Sequence, residues 1–106
     1  MTTEADFQRA VLDLAATLGV WAWHDTDSRR NRAGLPDLLL IGRHRAAWRE
    51  LKREAGRLRP AQTDVLTRLA SAGHSVGVWR PSDLTSGRVA AELRALNTPA
   101  SEGDDE

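Results

Sequence analysis

Two β-favouring runs, residues 36–41 and 46–52, are joined by only four residues, Gly42-Arg43-His44-Arg45. So short a link turns the chain straight back, which predicts an antiparallel hairpin rather than a crossover. With the hairpin centred on the Arg43–His44 bond, opposed residues carry numbers that sum to 87, and Asp37 falls opposite Glu50. Opposed side chains on one face have Cβ atoms about 4.5–5.5 Å apart. Lys52 lies two residues beyond Glu50 and shares its face, whereas Leu51 points the other way. A bulge at Gly42 would shift the pairing by one and send the two acids to opposite faces, so everything built on them depends on register.

The rest of the chain supplies a frame for that hairpin. Residues 3–18 carry Phe7, Val11, Leu14, Ala15 and Leu18 at helical spacing, and Gly19 stands where a helix stops. Residues 20–24, VWAWH, read as a short strand, and residues 25–34 as a polar loop. Leu38, Leu39, Leu40 and Ile41 form a continuous apolar run, expected to be buried on both faces. Pro60 suits the first position of a second helix with Val65, Leu66, Leu69 and Ala70 as its stripe, closed by Gly73. A fourth strand, SVGVWR, covers residues 75–80, and a weaker helix spans 88–96. The order is α-β-β-β-α-β with one further helix, an α/β chain with a four-stranded mixed sheet between helices. Residues 1–96 make one domain; residues 97–106 end too polar to pack and are expected to be disordered.

The formal charge of zero hides an asymmetry. The end of the chain carries Glu102, Asp104, Asp105 and Glu106 without a base, leaving 15 bases against 11 acids elsewhere. Between Arg29 and Arg59 there are ten bases and three acids. A basic centre suits a polyanion, although solvated surface arginine explains the same count. The absence of cysteine excludes disulfides, thiolate metal sites and cysteine nucleophiles. The opening residues lack a basic segment followed by an apolar one, and no apolar run approaches the ~20 residues of a membrane span. No membrane partner and no organic cofactor are expected, and the cytoplasm (of a host, if the chain is phage-encoded) is the expected location.

Two carboxylates facing each other across a hairpin repel, and stability alone would select against them. A hard divalent cation such as Mg²⁺ or Mn²⁺ removes the penalty by taking Asp37, Glu50 and the Leu51 carbonyl as ligands. Lys52 beside them completes what metal-assisted phosphodiester hydrolysis needs. The bland alternative is a Glu-x-Lys pair on an exposed strand face. Trp21, Trp23, Trp48 and Trp79 are expected in the core or at an interface.

The segments GLPDLLL, WRELKRE, a helix opening with PAQ, and GVWRPSD resemble the virus-type replication-repair nucleases (VRR-NUC), a compact branch of the PD-(D/E)xK superfamily. The resemblance runs over residues 4–83 and implies a restriction-endonuclease-like core. It makes Asp37 and Glu50 metal ligands, Lys52 the catalytic lysine, Gln62 the second-helix glutamine of the site, and Glu4 a further candidate ligand. The chain departs from the family in having Leu-Arg-Pro-Ala-Gln where Leu-Ser-x-x-Gln is usual. The resemblance also implies a homodimer cutting branched or otherwise structured DNA, such as junctions or flaps. Ser28, Arg29, Arg30 and Arg32 before Asp37, with Arg53, Arg57 and Arg59 after Lys52, would grip the phosphate backbone. The rivals are a nicking or restriction-type endonuclease on ordinary duplex, a DNA-binding module without activity, and a protein-interaction domain.

Overall fold

The computed structural model describes residues 3–26 and 32–99. Helix α1 (Glu4–Thr17) starts where the Thr3 hydroxyl accepts the Asp6 N–H at 3.0 Å, with Glu4 and Asp6 in the first turn. Strands β1 (Trp21–His24), β2 (Leu38–Ile41) and β3 (Ala46–Leu51) follow, then α2 (Pro60–Ser71), β4 (Ser75–Trp79), α3 (Pro81–Thr85) and α4 (Arg88–Leu96). The sheet order is β1-β2-β3-β4, antiparallel except for the parallel β3–β4 pair that α2 connects.

One sheet face carries the core. Leu38 and Leu40 of β2, Ala47 and Leu51 of β3 and Trp79 of β4 alternate onto it. Phe7, Val11 and Ala15 of α1 and Val89, Leu93 and Leu96 of α4 cover them. These residues recur at 3,4 spacing, which is why two short amphipathic helices suffice to seal the face. The other face has α2 against its β4 edge. Along β1 and β2 that face presents Trp21, 59% exposed, opposite Ile41, 41% exposed. The apolar run of β2 is therefore buried on one face only, contrary to expectation: no described helix covers the β1–β2 half of the second face.

Helix α3 was not foreseen from the sequence. Its start repeats that of α2: Arg59-Pro60-Ala61-Gln62 and Arg80-Pro81-Ser82-Asp83 each place a proline at the first turn and an acceptor two residues later. The Gln62 Oε1 accepts the Arg59 N–H at 2.8 Å, and the Asp83 carboxylate accepts the Arg80 N–H at 2.7 Å. Five residues of helix carry too little periodicity to register against the strand before them.

Two close approaches fix the frame. Gly42 packs its Cα against Leu96, and the Leu96 carbonyl accepts the N–H groups of His44 and Arg45. Asn97 continues the seam, accepting the Arg43 N–H at 2.9 Å and donating to the Leu18 carbonyl at 2.8 Å. On the far side, Gly34 has φ +89°, and a Cβ there would stand 2.3 Å from the Ala61 carbonyl oxygen. That backbone contact docks the segment before Asp37 onto the first turn of α2. Gly34→Ala is expected to destabilise the fold by about 2 kcal/mol or more, since it adds both a strained φ and a backbone clash. Chemical denaturation followed by circular dichroism measures this, and an unchanged midpoint would refute it.

Candidate active site

The hairpin register is the one that brings the acids together. Leu38 pairs with Arg49, Leu39 with Trp48, Leu40 with Ala47 and Ile41 with Ala46, so no bulge intervenes. Asp37, one residue before β2, then faces Glu50. Its carboxylate accepts the Leu51 N–H at 2.8 Å, extending the strand pairing by a side-chain bond where the ladder stops. The carbonyl of a strand residue leans to the same edge as its N–H, so the Leu51 carbonyl faces the Asp37 side as well.

Glu50 is 3% exposed and has several partners. The Gln62 Nε2 donates to Glu50 Oε2 at 2.7 Å, and the Lys52 Nζ lies 3.9 Å from the same oxygen. Gln62 is held at both ends, because its Oε1 takes the Arg59 N–H at the start of α2. Burial, followed by the Asp37 charge, pushes the Glu50 carboxyl up to about 7, with Lys52 pulling the other way. Burial also raises Asp37, opposed mainly by the Leu51 N–H, with Glu4 adding to the rise.

The donor chemistry fits a hard cation: the buried Glu50 carboxyl and the half-buried Asp37 carboxyl, a main-chain carbonyl on the same side, and a lysine whose charge leaves Glu50 still elevated. Among the described residues no three His, Cys, Asp or Glu side chains cluster closely enough to hold an ion by themselves. Glu4 thus acts on Asp37 through its charge and does not complete a three-carboxylate cage. It lines the neighbouring cleft with Arg53.

Of the basic residues singled out for DNA, Arg53, Arg57 and Arg59 are exposed along the link from β3 to α2. Arg32 stands exposed beside Asp64 and Arg68 on the flank of α2. Ser28, Arg29 and Arg30 lie outside the described residues. Not all the basic centre is available to a polyanion. Arg49 is buried at 8% exposure, its guanidinium against Glu92 and the Trp79 ring, and Arg45 donates to the Ala95 and Thr98 carbonyls. These two arginines hold α4 to the sheet.

Helices and strands in this order match a solved structure. The protein superimposes on a "VRR_NUC domain protein" with a TM-score of 0.65, over 86% of this chain and 89% of that one, at 21% identity. The fold is that of a VRR_NUC domain. No family model matches the sequence, and no curated protein matches it significantly. Likeness in sequence is thus low while the VRR_NUC architecture is kept. Among the described residues no helix is long and apolar enough to cross a membrane.

The raised acids make a pH prediction. A carboxyl elevated on folding stabilises the protein below its unfolded value of 4.5, and that contribution is lost as pH climbs through about 7. In EDTA the melting temperature should fall by several degrees between pH 5.5 and 8.5 from this pair. Glu50→Gln should flatten that slope and raise the melting temperature at pH 8.5. A variant melting at or below wild type there would show that the two acids are not in conflict.

Proposed function

We propose that this chain is a metal-dependent DNA endonuclease, a hydrolase of phosphodiester bonds. The observation that carries the proposal is Asp37 opposed to Glu50, with Lys52 on the same strand face. Asp37, Glu50 and the Leu51 carbonyl would hold Mg²⁺ or Mn²⁺, with Glu4 near enough to add charge. Such an ion supplies an activated water and neutralises charge on the phosphate. The protein's own groups do the rest. Gln62 fixes the rotamer of Glu50, so its second oxygen keeps one direction. Lys52 orients the attacking water or stabilises the charge that develops on phosphate. Arg32, Arg53, Arg57 and Arg59, with Ser28, Arg29 and Arg30, bind the backbone on either side. Branched or structured DNA is the proposed substrate, on the likeness to VRR_NUC proteins, and the cytoplasm the proposed site of action.

The test is cleavage of a labelled four-way junction, a flap and a linear duplex of matching sequence, in Mg²⁺, Mn²⁺ and EDTA. Cleavage is expected with either metal and none with EDTA. Asp37→Asn and Lys52→Ala should each lower it by more than about a thousandfold without lowering the melting temperature. DNA left intact by the wild type in both metals would reduce the chain to a binding module. Equal rates on the junction and the duplex would favour a restriction-type enzyme.

We also propose that two copies associate through the uncovered half of the second sheet face. Trp21 and Ile41 lie side by side there on neighbouring strands, next to the half-buried row of Trp23, Leu39 and Trp48. Large exposed apolar side chains on a short edge hairpin mark an interaction surface. Sedimentation at micromolar concentration should give twice the chain mass for wild type and the single mass for Trp21→Glu. A monomeric wild type would reject the dimer.

A further inference from the structure

We infer that the cleft beside the acid pair is a binding site for one unstacked nucleoside, the neighbour of the phosphate being cut; this rests on the nuclease reading above. The cleft has a volume of about 480 Å³ and is bounded by Phe7, Ala55, Gly56 and Pro81, with Glu4, Arg53 and Glu54 as its charged groups. It borders the site along Lys52. Gly56 lies against the Lys52 stem, where an added Cβ would meet Cδ at 3.6 Å. Glu4, which also lines the cleft, raises Asp37 through its charge.

The wall after Lys52 is held rigid by bonds that the proposed chemistry does not itself require. The Arg80 Nη1 donates to three carbonyls of the link: Arg53 at 2.6 Å, Glu54 at 3.2 Å and Gly56 at 2.8 Å. The Glu54 carboxylate accepts the Ser82 N–H at 2.9 Å and the Ser82 hydroxyl at 2.6 Å. Those bonds also hold Glu54 below the usual carboxylate range. Helix α3 thus clamps residues 53–56 into one shape before anything binds, and a preformed concave wall is what a ligand site needs.

Size and chemistry select the occupant. A sphere of 480 Å³ is about 10 Å across, too small to take in a base pair together with both its backbones. One base with its sugar does. The aliphatic and aromatic walls suit a flat heterocycle, and Glu4 offers an acceptor to an exocyclic amino group. With one arginine against two acids at its walls, Glu4 and Glu54, the cleft disfavours a second phosphate. Taking a base out of the stack costs a few kcal/mol and least where it is already unpaired. The cleft would therefore select for DNA with an unpaired nucleotide at the cut.

The experiment uses the full chain in Ca²⁺, with a flapped duplex carrying 2-aminopurine at successive positions around the flap junction. Fluorescence of this base rises when it leaves the stack; anisotropy of an end label reports binding independently. The expected result is a rise at one position, abolished in Ala55→Trp, which fills the cleft, with anisotropy little changed. Cleavage of the same DNA in Mg²⁺ should drop by about tenfold or more in that variant. Ala55→Leu, a smaller filler, serves if Ala55→Trp does not melt cooperatively. Binding without a fluorescence rise at any position overturns the nucleoside site, as does a rise that survives both fillers. A rise lost instead in Trp21→Ala puts the base on the sheet face and overturns it too. In these cases cleavage by wild type leaves the nuclease reading standing, whereas absence of both binding and cleavage removes both.

Discussion

The bond from the Leu51 N–H to the Asp37 carboxylate is the point on which the rest of the molecule turns. It closes the β2–β3 pair one residue past the last backbone bridge, so the register cannot slip without losing a half-buried bond. A slip of one would also expose Leu38 and Leu40 and bury Leu39 and Ile41 in their stead. Core packing and site assembly are therefore one requirement: the pairing that puts leucines against α1 and α4 is the pairing that puts Asp37 against Glu50. The electrostatic conflict between the acids persists because the hydrophobic face outweighs it.

Around this hairpin the helices have divided duties. α1 and α4 seal the core, α2 brings Gln62 to Glu50, and α3 adds Leu84 to the edge of the core and shapes the link after Lys52. Arginines serve these duties as much as they serve charge. Arg49 and Arg45 tie down α4, Arg80 gathers three carbonyls, and the remaining exposed ones lie along the path from Lys52 to α2. Counting bases in a sequence overstates the field available to a polyanion whenever guanidinium groups are used as scaffolding in this way.

Much of this was legible in the sequence. A four-residue turn between two β runs fixes a hairpin, and helical spacing of Phe7, Val11 and Ala15 fixes the covering face. Asp37, Glu50 and Lys52 then follow from strand alternation, and Gln62 from a likeness of motifs. What escaped has physical causes too. The exposure of Ile41 depends on which elements reach that half of the sheet, and four consecutive apolar residues read the same whether one face is covered or two. Helix α3 is a single turn, below the length at which periodicity can be seen, although its Arg-Pro-x-acceptor start repeats that of α2. The close approach of Gly34 to Ala61 is a contact between backbones, which no pattern of side chains encodes.

The seam at residues 96 and 97 has a consequence for the order in which the molecule comes together. The carbonyl of Leu96 and the side chain of Asn97 complete both the tip of the β2–β3 hairpin and the end of α1, so those earlier segments lack their last partners while the chain is still being made. A polypeptide halted between Lys52 and this point would carry both acids and the lysine without a closed core beneath them. Synthesis thus runs past residue 97 before the hairpin is latched at its tip, and competence arrives with α4.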